Sequence, residues 1–581
     1  MDFYGFYTGQ IFDAYEWLGA HYTPEKTTFR TFAPSAQRIE LVLEDRVLPM
    51  NKVYNGQFYE AVVEGLPAGA KYEYRIYSNT GCIDHCDPYG YAMELRPAHR
   101  SIVTDTAFSF SDGDWMKKRC DMREKPLNIY EMHMGSFRKP EDRPDAWYTY
   151  DQLADHLIPY LKENGYNYVE FLPLCEYPSD ESWGYQTTGY FAPTSRYGSP
   201  AQLKQLIDKL HANGIGAILD FVPVHFAVDS YGLSKYDGSA LYEYPHQDVG
   251  MSEWGSCNFM HSRGEVKTFL QSSANFWLKE FHFDGLRMDA ISRIIFWQGD
   301  ERRGVNSNAL DFVKNMNKYL KENNKGCMLI AEDSTSFKGI TKPCDEGGIG
   351  FDYKWDLGWM NDTLYFFGQA PERRSEFYHK LTFSMMYFGD ENYLLPLSHD
   401  EVVHGKGTIV NKMYGSDEDK MKQARALYLY MMMHPGKKLN FMGNELAQKR
   451  EWDEKREQDF MLLGDPAHND FHEYMKALNH LYLSHPAFFE DYEDKGFEWA
   501  DCAQEQRLIY SMIRRSEDET LVAVFNLGAG YQGGYSVRLE GAESAELIFS
   551  TQADAGSGYS LSNEYLTLDL PAYSGVVFRL S

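Results

Sequence analysis

Four short segments in the middle of the chain each close an apolar run with charged or imidazole side chains. They are DFVPVH, GLRMDA, AEDS and SHDE, which contain Asp220, His225, Arg287, Asp289, Glu332, His399 and Asp400. A single polar residue at the end of a strand is commonly a cap or a solvated loop residue. Arg287 and Asp289, however, are two apart, so on a strand both side chains leave the same face. Together the segments predict one cluster of carboxylates, imidazoles and a guanidinium.

Such a cluster suits the cleavage of glycosidic bonds. In that chemistry one carboxylate attacks the anomeric carbon, while a second, held protonated by its surroundings, donates a proton to the leaving oxygen. Arg287 would keep an attacking Asp289 ionised. A carboxylate separation of about 5–5.5 Å indicates retention of configuration, and about 6.5–9.5 Å indicates inversion. The residue types predict the chemistry, and the stereochemistry depends on a distance that spacing along the chain does not give.

These side chains need a scaffold that gathers the ends of many strands. Between Asn128 and Glu445 strand-like segments alternate with helical ones, and the helix at Pro200 begins with Ser199 as its N-cap. The eight strand-like segments are LNIYEMHMG, YNYVEFLPL, IGAILDFVPVH, HFDGLRMDA, CMLIAEDS, FDYKWDLGW, NYLLPLSHD and KKLNFMGNE. This alternation predicts an α/β fold, a (β/α)8 TIM barrel, whose active residues lie where the strands end.

Two all-β regions flank the predicted barrel. TTFRTFAP, RIELVLED, QFYEAVVEGL and KYEYRIYS are short alternating strands separated by turn residues, which predicts a β-sandwich over residues 1–110. A charged run from Ser111 to Lys125 is typical of a connector, and the barrel is expected over 111–483. LIYSMIRR, TLVAVFNLG, YSVRLEG, AELIFST and YLTLDLPAYSGVVFRLS predict a C-terminal β-sandwich over 484–581.

The charge balance excludes several classes of partner. The 581 residues include 57 Lys and Arg against 85 Asp and Glu, a net charge of −28 that repels phosphate backbones and anionic membranes. We therefore expect neither nucleic acid nor membrane as a partner. No signal peptide and no apolar run of about 18 residues is recognisable, which predicts a cytoplasmic protein. Cys82 and Cys86 have no CxxC or His pair near them and are expected to be thiols rather than metal ligands.

The four segments resemble the signature segments of the α-amylase superfamily of glycoside hydrolases. They occur in the same order and at plausible barrel strands. WGYQTTGYFAPTSRYG, FDYKWDLGWMNDTL, SHDEVVHGKG and GKKLNFMGNELAQKREW are similar to the glycogen (1,4-α-glucan) branching enzymes of that superfamily, as are IYEMHMGSFR and the leading TFAPSAQRIELV, which resembles a carbohydrate-binding module. The resemblance covers roughly residues Gly5 to Trp452.

The resemblance implies a role for each site residue. Asp289 would be the nucleophile, Glu332 the general acid and base, and Asp400 the carboxylate that binds the hydroxyls of the distorted sugar. The other expected substrate-binding residues, some of them acting through a neighbour, are Tyr185, Asp220, His225, Arg287, His399, Trp183, Gln186 and Trp355. Among these, Asp220 would hold Arg287, Arg287 would orient Asp289, and Tyr185 would stack beneath the sugar. Packing at the rim is the alternative role for Tyr185, Trp183 and Trp355.

Departures from the family pattern bear on metals and on the flanking domains. Calcium-binding amylases usually have Asn before the His of the first signature, and here that position is Val224, so we expect no structural calcium; no cofactor is implied either. LEDRVLPMN stands where many branching enzymes have a GDFNxW-like segment, which leaves glucan binding by the leading sandwich open. FNLGAGYQGGY replaces an NFTPVPR-like segment, which leaves the role of the last domain open.

The resemblance implies transfer rather than hydrolysis. A branching enzyme cuts an α-1,4 bond of a glucan such as glycogen, amylose or starch and rejoins the segment through an α-1,6 bond, by way of the same glycosyl-Asp289 intermediate that a hydrolase would form. The alternatives are an amylase or pullulanase-like hydrolase and a catalytically silent glucan-binding protein. The intact set of acidic residues and Arg287 argues against the silent protein. The sequence does not predict the oligomeric state, the transferred chain length or the preferred glucan.

Overall fold

The computed structural model describes residues 1–492 and 495–581. By the density of its contacts the chain divides into two compact units. Unit 1 comprises Met1–Cys120, His133–Ile158 and Glu170–Asp352. Unit 2 comprises Asp121–Met132, Pro159–Val169 and Tyr353–Ser581.

Eight strands form a closed barrel whose order follows the sequence. They span Asn128–Met132, Tyr168–Phe171, Gly216–Phe221, Gly285–Met288, Met328–Ala331, Tyr353–Trp355, Tyr393–Leu397 and Lys437–Phe441. Every residue in these strands is buried, as expected for parallel strands covered on both faces. Each of the eight predicted segments contains one of them, so the predicted TIM barrel is confirmed.

Long helices alternate with the barrel strands. The helix Pro200–Ala212 begins as predicted: Ser199 accepts a hydrogen bond from the Gln202 N–H, the Gln202 side chain accepts one from the Ser199 N–H, and Pro200 occupies the first helical position. The longer helices of the barrel span Tyr150–Glu163, Pro200–Ala212, Gly264–Glu280, Ser307–Asn323, Leu357–Phe367, Asp417–Met433 and Pro466–Ser484.

In unit 1 the N-terminal region forms two antiparallel sheets. One sheet has the order Gly19–Tyr22, Lys26–Phe32, Phe58–Glu64 and Asn51–Val53; the other has Val47–Pro49, Arg38–Leu43, Lys71–Ser78 and Gly81–His85, with Ser101–Ile102 paired to Lys71–Ser78. The four predicted strands are present, and burial alternates along Lys71–Ser78 as a half-buried strand requires. The additional strands are the short ones, which the turn signals obscured.

The first twelve residues lie along the helix Gly264–Glu280. Polar side chains of this helix donate to carbonyls of the N-terminal segment: Thr268 to Phe6 at 3.0 Å and Gln271 to Ile11 at 2.9 Å. A Cβ on Gly264 would lie only 1.9 Å from the Tyr7 carbonyl oxygen, so only glycine permits this close approach. The leading region is thereby attached to the barrel portion of unit 1.

A buried charged cluster lies at the start of the fourth barrel strand. Asp284 accepts hydrogen bonds from Trp115 Nε1 at 2.8 Å, from the Ala217 N–H at 2.8 Å and from His211 Nε2 at 2.9 Å. His211 Nδ1 lies 2.7 Å from Asp112 Oδ2, and the Trp115 ring stacks on the imidazole at 5.0 Å. Burial alone would lower the pKa of His211, but the two carboxylates outweigh it and raise that pKa to about 9. The cluster ties the connector to the barrel base.

In unit 2 the C-terminal region forms a five-stranded and a three-stranded antiparallel sheet. The first has the order Phe497–Gln504, Ile509–Arg515, Thr520–Asn526, Ser574–Leu580 and Ala545–Ser550; the second has Gln532–Arg538, Tyr565–Leu570 and Ser560–Ser562. The predicted all-β region is confirmed. Asp491 pairs with Lys437 at 3.0 Å and with Arg514 at 2.9 Å, and all three side chains are fully buried, which joins the last barrel strand to this region.

Candidate active site

The predicted nucleophile and acid lie at the ends of neighbouring strands in unit 1. Asp220 pairs in register with Arg287, and Arg287 with Ile330, so the third, fourth and fifth barrel strands are aligned. The Asp289 N–H donates to Phe221 O at 3.0 Å, and the Glu332 N–H donates to Met288 O at 3.1 Å. Backbone bonds therefore fix both carboxylates where the strands end, as sequence reasoning expected for a barrel.

Arg287 is the charge centre of this group. Its side chain is 1% exposed, and Nη1 donates to both Asp220 oxygens, at 2.9 and 2.7 Å, and to Asp289 Oδ1 at 3.0 Å. Nη2 lies 3.6 Å from Glu332 Oε2. Burial disfavours the charged guanidinium, but the surrounding carboxylates outweigh it and hold the pKa of Arg287 well above its usual value. The cation stays charged and links the predicted nucleophile to the predicted acid.

Glu332 is held by the segment that directly follows Asp289. Its Oε2 accepts a hydrogen bond from the Ala290 N–H at 2.7 Å, and the Ile291 N–H donates to its carbonyl at 2.9 Å. Ala290 has φ +51°, in the left-handed region that residues other than glycine rarely adopt. Side chains of Asp289 and Glu332 are 15% and 23% exposed, so both reach solvent while Arg287 does not. This is the exposure that reacting carboxylates need.

Tyr185 and Asp220 adjoin Arg287, and Gln186 follows Tyr185 in the chain. The Tyr185 hydroxyl donates to Asp220 Oδ2, so one carboxylate holds both this tyrosine and Arg287. Gln186 Nε2 donates to Trp254 O at 3.2 Å. Trp183 is half-buried with φ +55°, at the turn that presents this segment. Sequence reasoning grouped Tyr185 and Gln186 with the site; the structure joins Tyr185 to Asp220 and places Gln186 against the Trp254 carbonyl.

His225 is held neutral. Its side chain is buried, and burial together with the nearby Arg293 charge lowers its pKa to about 4. Its carbonyl accepts a hydrogen bond from the Tyr190 hydroxyl at 2.8 Å. The ring lies 5.2 Å from that of Trp254. A neutral imidazole can both donate and accept, which suits binding to sugar hydroxyls.

In unit 2, His399 and Asp400 follow the seventh barrel strand. Glu131, at the end of the first strand, accepts two hydrogen bonds from His399, one from the backbone N–H at 2.9 Å and one from Nδ1 at 2.5 Å. Glu131 is fully buried, and His399 is 2% exposed. His399 Nε2 lies 3.4 Å from Asp400 Oδ1, and the Asp400 side chain is 52% exposed. Glu131 therefore fixes the orientation of the imidazole beside Asp400.

Sequence reasoning missed Glu131. It lies in IYEMHMGSFR, at the end of a barrel strand, so the rule that identified the other site residues would have found it there. Trp355, expected as a substrate-binding residue or a packing one, is only 1% exposed, and this burial favours packing. Across residues 1–492 and 495–581 no group of three or more His, Cys, Asp or Glu side chains is placed to hold a metal ion.

Two family models match this chain. The sequence model of the alpha amylase catalytic domain matches residues 136–248 and 252–519, and that of carbohydrate-binding module 48, the isoamylase N-terminal domain, matches 17–90. The match to the catalytic domain covers more than half of the chain. The chain therefore belongs to the alpha-amylase family.

Relatives identify the branch of that family. The 1,4-alpha-glucan branching enzyme GlgB of Fusobacterium nucleatum is 42% identical over 575 residues, covering 96% of this chain and 93% of the relative. The enzyme of the same name from Nitrosomonas eutropha is 40% identical, covering 97% of this chain and 80% of the relative, and that from Geobacillus stearothermophilus is 40% identical, covering 92% and 86%. Among the alpha-amylase family the chain is a member of the 1,4-alpha-glucan branching enzymes.

Solved structures agree with the fold. A pullulanase from Paenibacillus barengoltzii, in complex with maltohexaose and alpha-cyclodextrin, has a TM-score of 0.75 at 20% identity, covering 97% of this chain and 95% of that one. A putative alpha amylase from Salmonella typhimurium has a TM-score of 0.75 at 19% identity, covering 97% and 100%. These structures share the fold at low sequence identity.

Proposed function

We propose that this chain is a glycogen, or 1,4-α-glucan, branching enzyme that works through a covalent glycosyl-Asp289 intermediate. The observation that carries the mechanism is the buried Arg287, whose guanidinium contacts Asp220, Asp289 and Glu332. Near-complete alignment with relatives named as branching enzymes supports the choice of reaction. The substrate is an α-glucan.

In the first half-reaction an Asp289 oxygen attacks the anomeric carbon of an α-1,4-linked glucosyl unit as the C1–O bond breaks. Glu332 gives its proton to the departing oxygen, which leaves on the remainder of the chain. Arg287 donates to Asp289 Oδ1 and so orients the attacking carboxylate. Contact of one guanidinium with both carboxylates supports a close pair, as double displacement requires.

In the second half-reaction Glu332, now ionised, takes the proton of a sugar 6-hydroxyl as its oxygen attacks the same anomeric carbon. The bond to Asp289 breaks, an α-1,6 linkage forms, and both residues return to their initial states. By their motif positions Asp400 and His399 bind hydroxyls of the distorted sugar, as does His225, while Tyr185 stacks beneath it and Trp183 and Gln186 complete the set; the buried Trp355 packs instead. Asp220 fixes Arg287.

The reaction has a direct test. Incubation with amylose should lower iodine staining while releasing few reducing ends, and enzymatic debranching of the product should release new short chains. Abundant reducing ends would instead indicate an amylase or pullulanase-like hydrolase, in which water intercepts the same intermediate. No change in either readout would indicate a glucan-binding protein without activity.

A cytoplasmic location belongs to the same proposal. No disulfide joins any of the eight cysteines, as favoured in a reducing compartment. Within the described residues the structure contains no helix with the length and apolar character needed to cross a membrane. Fractionation of the source cells would test the location.

A further inference from the structure

Trp254 is a large aromatic side chain held in solvent beside the candidate active site. The residue is 47% exposed, although burying an indole in the protein would be favourable. The segment is not a loose loop: Ser252 Oγ accepts the Trp254 N–H at 3.2 Å, and Ser252 and Ser256 pair through backbone and hydroxyl contacts. The backbone around Trp254 is therefore fixed while the ring stays accessible.

Three elements of the site hold this indole. Arg293, in the short helix Ser292–Ile295 that follows the nucleophile, places its guanidinium carbon 4.3 Å from the ring centre. The His225 ring lies 5.2 Å away, tilted by 40°. Gln186 donates to the Trp254 carbonyl at 3.2 Å. Each contact comes from a segment that carries, or directly adjoins, a predicted site residue, so the position of Trp254 is tied to the reaction site.

The supporting arginine is itself fixed. Its Nη2 lies 2.6 Å from Glu253 Oε1, the Arg293 side chain is 10% exposed, and Nη1 donates to Gln298 Oε1 at 3.3 Å. A guanidinium over an indole contributes about 0.5–1 kcal/mol when exposed and more when desolvated, enough to keep the ring in one orientation. A rigid aromatic ring costs little entropy when a ligand stacks on it.

We propose that Trp254 forms a glucosyl subsite that stacks on a sugar ring of the bound α-glucan, next to the unit that reacts at Asp289. The chemistry is that of an aromatic face against the C–H face of a pyranose, with the hydroxyl edge left to polar neighbours such as Gln186 and His225. This assignment rests on the proposed function, because it takes the ligand of the Asp289 site to be an α-glucan.

Steady-state kinetics on amylose test the subsite. In Trp254→Ala, KM should rise about tenfold, the loss expected for one aromatic stacking contact, while kcat falls by less. Trp254→Phe, which keeps an aromatic face, should restore most of the affinity. Tyr531→Ala removes a tyrosine that is 64% exposed in the C-terminal region and serves as the matched control, with KM unchanged. An unaltered KM in Trp254→Ala would overturn the assignment.

A binding measurement separates this proposal from the proposed function. Asp289→Asn should bind maltoheptaose without turning it over, and calorimetry should give about tenfold weaker binding for Asp289→Asn combined with Trp254→Ala. Equal binding by the two variants rejects the subsite alone. No binding by Asp289→Asn with the fold intact rejects an α-glucan as the ligand, and with it both proposals.

Discussion

The fourth barrel strand, Gly285–Met288, has an aspartate just before it and another just after it, and the two differ in their surroundings. Asp284 is buried, and its oxygens accept hydrogen bonds from three donors, one of them the imidazole of His211. Asp289 is partly exposed and accepts from the Arg287 guanidinium. The same residue type is thus built into the base at one end and presented to solvent at the other.

The two aspartates differ in solvent exposure and in the groups that they contact. A carboxylate enclosed by donors stabilises the fold, because losing it would leave those donors buried and unpaired. A carboxylate that reaches solvent beside a buried cation is oriented by that cation and can meet a ligand. A charged side chain at the end of a strand therefore indicates chemistry only when it remains accessible to solvent. Substituting asparagine at both Asp284 and Asp289 should separate the structural role from the catalytic one.

The largest expected effect is at the accessible end. Asp289→Asn keeps the shape of the side chain but removes the attacking oxygen's charge, so kcat on amylose should fall roughly 10⁴-fold or more. The melting temperature should stay close to that of the parent protein, because the site is not part of the packed base. Iodine and reducing-end assays with thermal unfolding check both parts, and retained turnover would mean that the nucleophile is elsewhere.

The same substitution at the buried Asp284 should lower stability and leave turnover intact. Asp284→Asn removes the negative charge beside His211 and replaces one acceptor oxygen with an NH2 donor that faces a donor of Trp115 or His211. The free energy of unfolding should therefore fall by about 3–5 kcal/mol, as when a buried pair is broken. Turnover per folded molecule should be retained. Denaturant unfolding and active-site titration would check this, and a loss of kcat in fully folded protein would contradict the comparison.

The free energy of unfolding should also depend on pH through the buried cluster around His211. The pKa of His211 is about 9 in the folded protein against 6.5 as its ordinary value, so its contribution of about 3 kcal/mol is complete below pH 6.5 and is lost as pH rises through 9. Asp112 and Asp284 contact the His211 imidazole directly. Arg119 pairs with Asp284, and His282 pairs with Asp112. Unfolding curves from pH 6 to 10 measure the loss, and His211→Gln should flatten it.

The smallest effect is expected at Glu131, which acts through His399. Glu131→Gln replaces one of two acceptors with a donor, and losing a hydrogen bond to a charged group, about 1.5–3 kcal/mol, corresponds to a fall in kcat of about tenfold to a hundredfold. Steady-state kinetics on amylose and thermal unfolding check this, because kcat should fall while the protein stays folded if Glu131 acts by orienting His399. A lower melting temperature with an unchanged kcat per folded molecule would assign Glu131 a purely structural role.

Much of this arrangement is predictable from sequence, because short-range pattern determines it. The barrel strands are continuous apolar runs, and Asp220, Arg287, Asp289, Glu332 and Asp400 each lie where such a run ends. The strand Phe497–Gln504 was not predicted, since its residues are mostly half-buried and do not alternate. The base cluster was not predicted either: Asp112, His211 and Asp284 are far apart along the chain, and only the fold brings them together.

The left-handed backbone at Ala290 sets the stability of the folded protein against the rigidity of the segment between the nucleophile and the acid. A left-handed conformation at a residue other than glycine costs about 1–3 kcal/mol, and here it turns the N–H toward Glu332. Glycine at position 290 would relieve that cost in the folded state but would loosen the chain between the nucleophile and the acid. Selection for heat resistance and selection for turnover would accordingly favour different residues at this one site.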